Sequence, residues 1–260
     1  MKILAIGDVC GTVGCEKLRA VLPKLKKEYG VDFTLVNGEN SADGNGLSPI
    51  SADMIFSAGA DVISGGNHTL RRRDIHALLD ENERLLRPHN LPKAEFGHGY
   101  TLVDMGFCSV AVINLSGVIY LERLEAENPF LAADELIKKA RDDGADIILV
   151  DFHAEATSEK RALGFYLDGK VTAVLGTHTH VQTNDAQILE CGTAYITDLG
   201  MTGPRDSVLG VEKSIIIDRL KNHTTGKFSL AEGPCMVEGV LITADPKTGK
   251  AANIEIINIR

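Results

Sequence analysis

Asp61-Val62-Ile63-Ser64-Gly65-Gly66-Asn67-His68 is a short apolar run that ends in two glycines, an amide and an imidazole. Such a run between turn residues reads as a buried strand, and the loop after it can present side chains to a ligand. Four other segments repeat the arrangement. Residues 2–7 lead to Asp8, 33–36 to Asn37-Gly38-Glu39-Asn40, 146–150 to Asp151-Phe152-His153, and 171–175 to Thr177-His178-Thr179-His180. Helical spacing falls between them, over 16–29, 51–58, 71–84, 129–142 and 158–167. Pro23 argues against one unbroken first helix, because an interior proline removes a hydrogen bond and crowds the preceding turn.

This alternation predicts parallel β-α-β units, whose ligands collect where strands end. The five loops are therefore expected to meet at one edge of a β-sheet and to hold two metal ions. Residues 41–46 are glycine-rich and must turn sharply. Residues 100–105 and 109–115 read as an antiparallel hairpin. Beyond residue 180 the pattern is β-like, with strands expected near 187–190, 193–197, 213–218, 236–243 and 253–258. No linker or internal repeat interrupts the sequence, so the expectation is one domain, 1–260, with two packed sheets and helices outside.

Composition narrows the function. A chain of 260 residues with net charge -9 and 44% hydrophobic residues is globular and lacks the basic surface that binds a nucleic acid polymer. Five cysteines with no C-x-x-C spacing suggest neither a disulfide framework nor a zinc ribbon, and they point to a reducing cytoplasm. The opening residues are too short an apolar run for a signal peptide, and no run approaches the roughly 20 residues of a bilayer span.

Taken singly, the loop residues have plain explanations. Asp8 could cap a helix, Glu39-Asn40 and Asn67-His68 could be turn residues, and His178 and His180 would point to opposite faces if extended. The glycines at 7, 11 and 14 form G-x-x-x-G-x-x-G, which is not a dinucleotide fingerprint. Taken together, five strand ends all carry metal-capable side chains. Two carboxylates, two amide oxygens and three imidazoles, with no thiolate, suit Fe, Mn or Zn better than Ca. Two neighbouring metals need a bridging carboxylate, and Glu39 is the candidate.

With Gly66-Asn67-His68 and Thr177-His178-Thr179-His180 in this order, the chain resembles the calcineurin-like metallophosphoesterases. Two departures narrow the resemblance: Asp8-Val9-Cys10 lacks a histidine, and Glu39 stands where aspartate is usual. Together with residues 150–160 and 200–204, they make the chain similar to the bacterial YmdB-like subfamily. The resemblance implies a four-layer α/β/β/α sandwich of two mixed sheets flanked by helices, 2′,3′-cyclic nucleotide phosphodiesterase activity, a dinuclear iron-type site and homo-oligomers. It places Asp8, Glu39, Asn40 and His180 around one metal, and Glu39, Asn67, His153 and His178 around the other. His68 is left beside the substrate, either donating a proton to the leaving ribose oxygen or stabilising charge on phosphorus, while metal-bound hydroxide attacks phosphorus. The competing readings are a phosphatase of another phosphoester or phosphoprotein, and a nucleotide-sensing module with little turnover. Arg71-Arg72-Arg73 reads as a solvated face, Glu155 and Lys160 have no role assigned by spacing, and residues 203–205 are expected to close over the site.

Overall fold

A strand with apolar residues on both faces needs a packing layer on each side. The computed structural model, which describes all residues except 44, 93 and 94, supplies those layers. In chain order its elements are β1 (Lys2–Ile6), β2 (Asp8–Val9), α1 (Gly11–Tyr29), β3 (Phe33–Asn37), α2 (Pro49–Ala58), β4 (Val62–Ser64), α3 (His76–Glu81), β5 (Tyr100–Asp104), β6 (Ser109–Ser116), α4 (Pro129–Asp142), β7 (Ile147–His153), α5 (Thr157–Tyr166), β8 (Ala173–Thr177), β9 (Gln187–Ile188), β10 (Ala194–Ile196), β11 (Met201–Pro204), α6 (Lys213–Asn222), β12 (Cys235–Asp245) and β13 (Lys250–Ile259).

The strands form two mixed sheets. The first runs β2-β11-β12-β1-β3-β4, with β13 added on β12, and the second runs β5-β6-β7-β8-β10-β9. Pairing is parallel at β1–β3, β3–β4, β6–β7 and β7–β8, as the β-α-β pattern requires, and antiparallel at β1–β12 and in the β5–β6 hairpin. Successive side chains of each strand enter different cores. Ile3 and Ala5 of β1 meet Val110, Val112 and Leu149 between the sheets. Leu4 and Ile6 turn to Leu18 and Leu22 of α1 and Ile55 of α2. On the far side, Ala111, Ile113 and Val150 pack on Ala133, Leu136 and Ile137 of α4 and Leu163 of α5. Three cores thus separate four layers, helix, sheet, sheet, helix, as the sequence implied.

Several elements differ from expectation. The helix through Pro23 is unbroken, because Pro23 lies on the exposed face and the carbonyl it frees, at exposed Arg19, is open to water. The expected helix over 71–84 is two 3-10 turns, Thr69–Arg71 and Arg73–Ile75, then the short α3, since Arg72 is extended between the turns. Residues 213–218 are helical, not a strand. The three isoleucines at 215–217 suggest β, but the Glu212 side chain caps Ser214 N and none of the helix is buried against a sheet. Residues 203–205 do not close over the site, because Met201–Pro204 is strand β11, held between β2 and β12. Part of the turn expected at 41–46, Gly44, lies outside the described residues.

Candidate metal centre

The five loops come together, but from two sheets, not one edge. Asp8, Glu39-Asn40 and Asn67-His68 follow strands of the first sheet, whereas His153 and the 177–180 loop end β7 and β8 of the second. The sheets face each other, so their carboxyl ends converge over the core between them.

Asp8 and Glu39 are fully buried, as is His153, and His180 is nearly so. Glu39 Oε2 lies 3.3 Å from His153 Nε2, and Asp8 Oδ1 lies 3.5 Å from His180 Nε2. Two overlapping sets result, Asp8 with Glu39 and His180, and Glu39 with His153 and His178. In each, one donor atom per residue lies within 4.8 Å of the others. Glu39 is the shared member. Asn67 Oδ1 lies 2.9 Å from His153 Nε2, on the same side as the second set.

Each of the three imidazoles is anchored by its outward nitrogen. His153 Nδ1 lies 2.9 Å from Thr177 Oγ1. That hydroxyl gives its own proton to Asp151 Oδ1 at 2.7 Å, so it must accept from His153. His178 Nε2 meets Glu155 Oε2 at 2.9 Å, and His180 Nδ1 meets the Leu209 carbonyl at 3.3 Å. With those nitrogens donating outward, His153 Nε2, His178 Nδ1 and His180 Nε2 face the interior, where loss of any proton they carry frees a lone pair for a cation. A metal-ligating histidine is tied down in this way. Among the described residues, buried Asp8 Oδ1 has no hydrogen-bond partner and is an orphan acceptor aimed into the same space. The donor set and the orphan oxygen both suit cations.

Asn40 is oriented less simply. Its Nδ2 lies 2.6 Å from Glu39 Oε1 and 3.3 Å from His180 Nε2, while Oδ1 accepts from His68 Nδ1 at 2.9 Å. To serve as an oxygen ligand, the amide must turn over, placing Oδ1 where Nδ2 now lies. His68 stands at the edge, its backbone N–H donating to Glu39 Oε2 at 2.8 Å. Among the described residues, His68 Nε2 has no protein partner.

Backbone geometry makes the convergence possible. A side-chain carbon on Gly66 would come within 2.3 Å of His153 Nε2 and 2.4 Å of Glu39 Oε2. His178 and His180 have φ of 100° and 59°, which bends the loop so that both rings face one way. For non-glycine residues such conformations cost of order 1–3 kcal/mol each and persist only where surroundings hold them. Asp198 holds this loop: its Oδ2 accepts from Thr179 N at 3.1 Å and Thr179 Oγ1 at 2.7 Å, and pairs with Lys160 Nζ at 2.7 Å. Lys160 and Asp198 are both buried.

The charges are arranged for ligation. Burial opposes charge on Glu39, yet the His153 and His68 imidazoles hold its carboxyl well below the usual carboxylate range. Asp8 is likewise buried and likewise lowered, chiefly by His180. Burial, reinforced by the His153 charge, pushes His178 down to about 3 and keeps it neutral.

Sequence reasoning left Glu155 and Lys160 unassigned and passed over Thr177, Asp198 and Cys10. Glu155 and Lys160 act on the centre through His178 and Thr179. Cys10 Sγ lies 3.6 Å from His180 Nδ1. Asp8 caps no helix: the residue before α1 is Cys10, with no side-chain cap bond. The arginine run is divided, with Arg71 lining the cavity beside His68 and Arg72 paired to Asp74 outside it.

Residues 4–257 match the family model described as YmdB-like protein. The chain belongs to the YmdB-like family. This YmdB-like chain is 48% identical over 259 residues to the 2′,3′-cyclic-nucleotide 2′-phosphodiesterase of Bacillus subtilis strain 168, covering 100% of itself and 97% of that relative. A crystal structure described as a novel phosphatase from Mycoplasma pneumoniae superposes with a TM-score of 0.94 at 35% identity, over 100% of the YmdB-like chain and 93% of the other. The 5′-nucleotidase precursor of Thermus thermophilus shares the fold alone, with a TM-score of 0.63 at 10% identity, over 100% of this chain and 54% of its own. By family, the YmdB-like chain is an enzyme of the phosphatase and phosphodiesterase kind.

Proposed function

We propose that the protein hydrolyses small 2′,3′-cyclic nucleotides at a dinuclear metal centre. The observation that carries this reading is the pair of donor sets sharing Glu39, with His68 beside them and outside both. Asp8, Glu39, Asn40 and His180 would hold one cation, and Glu39, Asn67, His153 and His178 the other. Two such cations supply an activated water and a charge clamp on the phosphoryl oxygens. N and O donors of this type accept iron, and also manganese or zinc.

The chain's own side chains do the remaining work. With Asn40 Oδ1 turned to the cation, His68 Nδ1 would be held by Glu39 Oε1, 3.4 Å away, leaving Nε2 to give a proton to the departing ribose oxygen, the task of a general acid. Arg71, on the same cavity wall, is placed to meet a phosphate oxygen.

The competing readings, a phosphatase of other phosphoesters or a nucleotide sensor with little turnover, differ in substrate and rate. A panel with the metal-reconstituted enzyme separates them. Turnover of 2′,3′-cyclic AMP should exceed that of phosphoserine peptides and vanish on chelation. Faster peptide turnover, or tight nucleotide binding without turnover, would displace the phosphodiesterase reading.

A cytoplasmic setting is supported by five cysteines without a disulfide, and among the described residues no helix is long and apolar enough to cross a membrane. Assembly into homo-oligomers rests on the resemblance and on exposed apolar side chains such as Leu131 and Phe165. Sedimentation equilibrium tests it.

A further inference from the structure

The cavity over the metal centre, about 470 Å³, has two chemically different walls. One is polar and consists of the site itself, with Glu39, Asn40, His68, Arg71 and the 178–180 loop. The other is apolar and comes mainly from residues 208–230, where Val208, Leu209, Val211, Ile216, Phe228 and Leu230 line it. That wall belongs to neither sheet. It is held in place by Val208–Val211 and Val211–Leu230 bridges and by Glu212 N donating to the Ser229 carbonyl at 3.0 Å. Leu230 lies against the start of α1, where a side chain on Gly11 would come within 2.1 Å of Leu230 Cδ1. The apolar wall is therefore fixed to the segment that carries Asp8.

An apolar wall facing a phosphate-binding wall calls for a ligand with one anionic end and one flat, poorly hydrated end. A cyclic phosphodiester and its ribose are polar throughout, so they leave the apolar wall unused. A nucleobase does not. The volume lies within the roughly 300–1,000 Å³ of ordinary ligand pockets. Phe228 supplies the aromatic surface. It remains 44% exposed, and the Arg219 guanidinium, which does not line the cavity, sits 4.8 Å from the ring centroid and steadies the ring from outside.

We infer that the 208–230 segment is a nucleobase subsite, with Phe228 as the stacking platform that favours base-bearing substrates over bare phosphodiesters. The inference rests on the cyclic-nucleotide reading above, and it adds the part of the substrate that the metal centre does not see. Leu209 and Leu230 complete the apolar surface. Stacking on an aromatic face discriminates poorly among bases, so the preference is for a base as such.

The test uses the metal-reconstituted enzyme with two substrates, 2′,3′-cyclic AMP and 1-O-methylribose 2,3-cyclic phosphate, which lacks the base. Phe228→Ala should raise KM for the nucleotide roughly ten-fold, within the range of base–aromatic stacking, and leave kcat within about two-fold. The same variant should leave the abasic substrate unchanged, and Phe228→Trp should restore the nucleotide KM. An unchanged nucleotide KM, or an equal rise for both substrates, would overturn the subsite while leaving the phosphodiesterase reading intact. If the wild type turns over neither substrate, that reading fails instead. The subsite is then decided by calorimetric binding of adenosine 3′-monophosphate: a roughly ten-fold loss of affinity in Phe228→Ala supports it, and no binding or no loss overturns it.

Discussion

Glu155 Oε2 lies 2.9 Å from His178 Nε2, and the opposite nitrogen of that ring lies 3.1 Å from His153 Nε2. The carboxylate is half exposed, yet it fixes which nitrogen of a buried imidazole faces the interior. Loss of such an outer partner typically weakens metal binding by about 10- to 100-fold. Glu155→Ala should therefore weaken one metal position by that factor, read by competition with a chromophoric chelator. Unchanged affinity would mean that the His178 ring is held by its surroundings alone.

Glu39 belongs to both donor sets. Glu39→Gln should lower metal content at both positions, measured as metal ions per chain by elemental analysis. Selective loss of a single ion would place Glu39 at one metal and deny it the bridging role.

His68 lies outside both sets. His68→Ala is expected to lower kcat by about 10²- to 10⁴-fold, the usual contribution of a general acid, with metal content unchanged. Retained activity would move the proton-donor role to another group, and lost metal would place His68 among the ligands.

Gly66 leaves no room for a side chain between His153 and Glu39. Gly66→Ala should fold, since the atoms that must move are side-chain ends, but it should bind metal at least ten-fold more weakly because the shift falls on two proposed ligands. Circular dichroism and metal titration measured together check this, and wild-type affinity would refute it.

Lys160 and Asp198 form a buried pair that braces the 178–180 loop. Removing one partner of such a pair costs about 3–5 kcal/mol. Lys160→Met should lose stability on that scale in urea unfolding, whereas Lys160→Met with Asp198→Asn should recover much of it. Equal stabilities of the two variants would show that the Asp198 carboxylate costs nothing when left buried without Lys160.

The strand ends were readable from sequence because each couples a local pattern to a chemical group: an apolar run, then Asp8, Glu39, His68, His153 or His180. Their meeting across two sheets was not readable, since face-to-face packing is set by long-range burial such as that of Ala5 and Leu149 in one central core. Short elements escaped for the same reason. Strand β2 spans two residues and β11 four, and their pairing with each other, not their own pattern, makes them strands. Helix α6 misled through β-branched residues on a surface where a cap and solvent decide the conformation. Glu155 and Lys160 stood in a distinctive run, but spacing gives no direction to a side chain, so His178 and Asp198 could not be named as their partners.

The order of strands in the first sheet also bears on how the molecule is made. Strand β1 has β12 as its neighbour, with Ile3 opposite Ile242, so the amino-terminal strand waits for nearly the whole chain before that side is covered. Strand β2, which carries Asp8, pairs with β11 at residues 201 and 202. During synthesis, the first-encoded of the proposed ligands is thus set in place only after the last-encoded ones, His178 and His180, have emerged. A nascent or truncated chain that ends before β11 lacks a seat for Asp8. In the proposed centre, metal loading therefore waits for the pairing of β2 with β11.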